Sequence, residues 1–215
     1  MGGGSSKAKA SDKAAKSSVS LPAKPTPTPG LEADTKDWKK LHSACRWGKR
    51  ADFEAMLGPS NLNSVDDQNG NCPIHIAAQN GHLDLVELLL SKSCNVNAQN
   101  NGGQTALHMA MEYDYYDCIS KLVESGADKT LKNTAGHEAW KGIDGGKVYH
   151  VVALGAAKSS EDYLKFINLI LADDDAKARI DKAELVQIRM KHKKEDSSHW
   201  NDEVEAQFKG LLAAI

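Results

Sequence analysis

The stretch Cys72-Pro73-Ile74-His75-Ile76-Ala77 returns 33 residues later as Thr105-Ala106-Leu107-His108-Met109-Ala110. The same interval upstream lands on Leu41-His42-Ser43-Ala44-Cys45. Gly70, Gly103 and Gly136 share the period, and Gly48 and Gly81 each follow a repeated histidine by six residues. Helical apolar stripes share it too: Phe53/Met56/Leu57, Leu85/Val86/Leu88/Leu89 and Ile119/Leu122/Val123. Coincidence of a histidine, a glycine and an apolar stripe at one interval marks an array of like units.

Each unit has a physical reading. Gly70 and Gly103 permit the positive φ of a tight turn. Pro73 suits the first turn of a helix, where its missing N–H costs little. Ala77-Ala78 and Ala44-Cys45 keep one helix face narrow, so helix pairs stack closely. Leu88-Leu89-Leu90 and Leu122-Val123 supply the apolar face of a second helix, and Gly126 is its stop. One such unit cannot cover its own apolar face, whereas a stack does.

These motifs resemble the T-P-L-H-x-A signature of the ankyrin-repeat family, over about residues 36–156. The resemblance implies an all-α solenoid of helix-turn-helix repeats with β-finger turns, about three and a half repeats within residues 31–156. Units at 67–99 and 100–132 are strong, 36–66 is degenerate and starts near Trp38, and 133–156 is a worn terminal repeat. In that last unit Lys141 takes the place of the histidine, and Gly142, Gly145 and Gly146 interrupt the pattern. Cys72 stands where the family has Thr and Asp114 where Gly81 does, so those two turns are expected to be less regular.

The resemblance makes His75 and His108 structural, and it implies a rigid surface that binds another protein. The candidate partner-binding residues are Trp47, Gln79, Asn80, Glu112, Tyr113 and Tyr115, just before or at the turn between the paired helices. Trp47, Asn80 and Tyr113 fall 33 apart and align along one face. Finger tips near Asp67-Gln68-Asn69, Asn100-Asn101-Gly102 and Asn133-Thr134 join them. The competing reading packs Tyr116 inward, at the register of Leu83, and Trp47 on the preceding leader. No nucleophile, base and oxyanion donor recur in a usable spacing, and no phosphate loop or HExxH site is present. The expectation is a non-enzymatic adaptor with no cofactor and no metal site.

Composition divides the 215 residues into three unlike pieces. Residues 1–30 carry five lysines against one aspartate and four of the six prolines, a basic leader expected to be disordered. Its start, Met1-Gly2-Gly3-Gly4-Ser5-Ser6-Lys7, fits N-myristoylation of Gly2, and equally an ordinary Gly/Ser tail. Lipidation implies a peripheral membrane tether, with the leader lysines as its second signal. Residues 31–215 hold 22 Lys and Arg against 28 Asp and Glu, which disfavours a nucleic-acid partner. Cys45, Cys72, Cys94 and Cys118 form no CxxC pair, and no secretory h-region or apolar run of membrane-span length occurs. A cytoplasmic protein with reduced thiols is expected, its oligomeric state open.

Residues 157–215 read as a helical extension. Asp173 to Glu184, between an amphipathic helix at Glu161–Leu171 and another through Leu185, Ile188 and Met190, is similar to an EF-hand loop. Asp173, Asp175, Asp181 and Glu184 match ligand positions, while Lys177 and Ala178 depart from the pattern. A calcium-responsive regulator is therefore one alternative, and a structural subunit of a large assembly another. Residues 191–215 read as a charged linker and a short final helix.

Overall fold

The computed structural model describes residues 37–195 and 198–215. The leader and Gly2 lie outside the described residues, which hold eleven α-helices and no strand. The helices pair on the 33-residue period: α1 (Asp37–Arg46) with α2 (Arg50–Met56), α3 (Pro73–Gln79) with α4 (Leu83–Ser91), and α5 (Ala106–Glu112) with α6 (Tyr116–Glu124). First helices pack in the order α1, α3, α5, and α4 packs on α6.

Side chains in equivalent register form continuous rows through the stack. Leu41, Ile74 and Leu107 line the first helices, and Phe53, Val86 and Ile119 the second, all essentially inaccessible. Burial of each such side chain contributes roughly 1.5–3 kcal/mol. Small residues at Ala44, Ala77 and Ala110 allow the first helices to approach. All four cysteines are free and buried, and burial pushes the Cys45 thiol up to about 12 and the other three to about 11. Such thiols stay protonated and unreactive.

The two turns expected to be irregular follow the common course. Cys72 precedes α3 with extended backbone, and its N–H donates to His75 Nδ1 at 3.1 Å, as the Thr105 N–H donates to His108 Nδ1. The Thr105 hydroxyl adds bonds to His108, but the backbone N–H to histidine bond is common to both turns and keeps the one at Cys72 on the same course. Asp114 adopts φ 59°, matching the 62° and 69° of Gly48 and Gly81. Aspartate tolerates this left-handed region better than most side chains.

Beyond α6 the register persists. A 3-10 turn at Ala139–Lys141 stands where a first helix would be, and α7 (Tyr149–Ala156) starts 33 residues after α6. A second core then begins. The central helix α8 (Ser160–Ala172) packs on α7, on the short α9 (Asp174–Arg179) and on α11 (Asp202–Ala214), while α10 (Lys182–Glu195) packs on α7. Tyr163, Phe166, Ile167, Ile170, Val204, Phe208 and Leu211 fill this core, and Tyr116 and Tyr149 touch both cores. Tyr116 is half-buried and stacks on Tyr149 with centroids 6.1 Å apart, the inward packing of the competing reading.

The EF-hand reading is corrected here. Nine of the twelve loop residues are helical, six in α9 and three at the start of α10, and Asp173 caps α9 by accepting the Ala176 N–H at 2.9 Å. Asp175 pairs with Arg179, and Lys177 reaches both Asp174 and the Leu171 carbonyl. These carboxylates serve a helix N-terminus instead of converging on a cation. The charged stretch after residue 190 is not a linker: Lys191–Glu195 continue α10, and the final helix is thirteen residues long and docked on α8.

Candidate interaction surface

Each finger is shaped by one side chain that accepts several backbone N–H groups. Asp66 Oδ1 accepts from Gln68, Asn69 and Gly70. Asn100 Oδ1 accepts from Gly102 and Gln104, both at 2.9 Å, and Asn133 Oδ1 from Ala135 and His137. Successive fingers then join by backbone bonds, Asn101 N–H to the Asn69 carbonyl at 2.8 Å and Thr134 N–H to the Gly102 carbonyl at 2.9 Å. A Cβ on Gly103 would sit 3.0 Å from the Thr134 nitrogen, so glycine here serves both φ 70° and the close approach of the next finger.

The repeated histidines tie fingers to helices. With Nδ1 accepting from Cys72, His75 carries its proton on Nε2 and donates to the carbonyls of Ala98 (2.9 Å) and Gln104 (3.0 Å). His108 likewise donates to the His137 carbonyl at 3.1 Å. Burial is the first cause lowering the pKa of both, so the neutral rings persist through neutral pH. Both rings anchor the fingers to the first helices.

Between fingers and first helices runs a groove of about 500 Å³. Its lining is dominated by side-chain amides: Gln68, Asn69, Asn71, Gln79, Asn80, Asn100, Asn101 and Gln104, with Arg46 at one end. Some capacity is already spent, since Asn80 donates to the Ile76 carbonyl and Asn100 to Asn71 Oδ1. Asn100 is saturated, since it also donates to Gln104 Oε1 and its oxygen takes two N–H groups, and Asn101 donates to the Gln68 carbonyl, so the capacity left for a ligand lies mainly on Gln68, Asn69 and Gln79.

Residues 33–133 match the family model described as ankyrin repeats in three copies. This stretch is an ankyrin-repeat domain. Ankyrin repeats are modules that bind other proteins, so the groove belongs to a protein-interaction unit. The α7 register extends the array past the matched residues. Among the described residues no helix is long and apolar enough to cross a membrane.

The six candidate side chains do not form one site. Gln79 and Asn80 line the groove. Trp47 stands 72% exposed outside it, at the end of α1. Tyr113 and Tyr115 are exposed with ring centroids 6.4 Å apart, and the Tyr115 ring lies over Gly81. Tyr115 also borders a separate cleft of about 640 Å³ between α6, α7 and α10. Glu112 is half-buried and bonded to the backbone of the fourth repeat. Groove residues Asn71 and Gln104 escaped the sequence reading. The density of Asn and Gln between residues 68 and 104 was the signal that marks them.

Proposed function

We propose that the chain is an adaptor that holds an extended, largely uncharged segment of another protein in the amide groove. The carrying observation is a wall of eight side-chain amides on a bonded framework of fingers. Amides match the alternating donors and acceptors of a peptide backbone, and their fixed setting limits the ordering cost of binding. Arg46 at one end favours a carboxylate there. Lipidation at Gly2 would tether the adaptor to a membrane, and Gly2→Ala should then weaken its membrane association.

The test is affinity capture with the full chain, identification of the partner, and calorimetry on the purified pair. Gln79→Lys with Asn101→Lys should weaken binding at least tenfold, while Glu87→Ala on α4 should leave it unchanged. Equal affinity for all three proteins would sink the groove as the partner site.

A further inference from the structure

The charge of the repeat array is not spread evenly. Residues 38–50 hold Lys39, Lys40, Arg46, Lys49 and Arg50 and no acid, whereas residues 51–215 hold 16 Lys and Arg against 25 Asp and Glu. At about 100° per residue, Lys39, Lys40, Ser43, Arg46 and Trp47 share an arc of about 120° on α1 and its end. All five are exposed, while Leu41, His42, Ala44 and Cys45 on the opposite arc are buried. Lys49 follows at the turn and is exposed as well. Arg50 is engaged with Asp84 and Glu54. Asp66 and Asp67 face the finger side of the arc across a shallow groove, with Asp66 occupied by three N–H groups.

Trp47 is the most exposed large apolar side chain among the described residues, and it stands beside the turn at Gly48. An indole projecting from a cationic turn is the chemistry of the bilayer interface, where Trp lies at headgroup depth and Lys and Arg meet anionic lipid. We propose that this α1 edge is a docking surface for anionic lipid bilayers, with Trp47 inserting among the headgroups. Residues 31–37, directly before it and including Asp37 at the start of α1, hold three acids and one lysine, and only residues 1–30 beyond them are again basic, with five lysines against one aspartate. This goes beyond the adaptor reading and stands whether or not Gly2 carries a lipid. Arg46 borders both surfaces, whereas the eight amides of the groove lie outside the arc and stay open to a protein while the edge faces a membrane.

The experiment uses the full, unacylated chain and sedimenting vesicles of phosphatidylcholine with about 30% phosphatidylserine, against pure phosphatidylcholine. Binding is expected to the anionic vesicles only, weakening as salt shortens the Debye length from about 10 Å at 0.1 M. At about 1 kcal/mol per cation, Lys39→Gln with Lys49→Gln should lower partitioning about 30-fold. Trp47→Ala should lower it roughly tenfold or more. Quenching of tryptophan emission by brominated lipid should be lost in Trp47→Phe, which keeps the fold while removing the reporter. Undiminished vesicle binding by the variants would assign the effect to the leader and overturn the proposal. Complete competition by 10 mM inorganic phosphate would make it a phosphate site instead, and binding of polyglutamate without vesicle binding would make it a surface for acidic protein. Either result refutes it.

Discussion

The Glu112 carboxylate accepts the backbone N–H of Ile143 at 2.8 Å, in the next repeat of the array. It also reaches the Asp144 N–H at 3.3 Å. Because the fourth repeat replaces a full first helix with a 3-10 turn, the N–H groups that follow lack helical partners. Glu112 supplies them. Glu112→Ala is therefore expected to cost about 1–3 kcal/mol and to speed amide exchange at Ile143 and Asp144. Glu112→Gln, which keeps an acceptor, should lose less. Wild-type exchange at these two amides in the Ala variant would refute the assignment.

Position 81 lets steric and backbone costs be separated. Gly81 and Gly126 both have positive φ, 69° and 89°, so alanine strains the backbone at each. A Cβ on Gly81 would also fall 2.7 Å from the Tyr115 ring, whereas one on Gly126 meets nothing within 4 Å. Gly81→Ala should therefore destabilise more than Gly126→Ala in urea unfolding, and Tyr115→Ala should narrow the gap. Equal midpoints for the two alanine variants would remove Tyr115 from the account.

Acid should loosen the fold from about pH 6.5 downward. His42, His75, His108, His150 and His192 all have pKa values lowered from 6.5, with burial the first cause in each. The unfolded chain then binds protons near pH 6.5 that the folded chain refuses, so stability falls as pH drops below that value. For His75 alone the slope reaches about 1.4 kcal/mol per pH unit while only the unfolded state is protonated. Urea titrations at pH 7.5, 6.5 and 5.5 should show a falling midpoint. A flat profile over this range would contradict neutral, buried histidines.

The repeats were legible because stacking forces one residue type onto one position every 33 residues. His75 and His108 could be assigned a structural role before any contact was known. Glu112 shows the limit: its register placed it near the presumed binding face, but its partner is a backbone that only the shortened fourth repeat exposes. The acidic run at Asp173 misled for a related reason. An N-cap followed by first-turn carboxylates and a calcium loop draw on the same residues, and only the helical course of Asp174–Arg179 separates them. The C-terminal core was the least legible, since its contacts join segments with no common period.

Glu205 is the clearest of those contacts. Its two oxygens take Arg189 Nε (3.1 Å) and a second Arg189 nitrogen, Trp200 Nε1 (2.7 Å) and Lys193 (3.2 Å). Lys209 lies 3.7 Å away. The Arg189 bond is the first cause pulling the Glu205 carboxyl down to about 2, with Trp200 and Lys193 adding to it. Glu205→Gln leaves three cations around a neutral amide; Lys193 and Lys209 are largely exposed and screened by solvent, so the loss falls mainly on the bonds to Arg189 and Trp200. A loss of about 1–3 kcal/mol is expected, with Trp200 emission shifting toward that of a wetter ring. Val204, Phe208 and Leu211 remain buried, so α11 should stay helical. The pH dependence is diagnostic. A depressed carboxylate stabilises fully above its unfolded pKa of 4.5 and loses that contribution as pH falls toward 2. The wild type should weaken through this window, below the histidine range, and Glu205→Gln should weaken less there. Parallel acid profiles for the two proteins would show that Glu205 does not hold the C-terminal helices together.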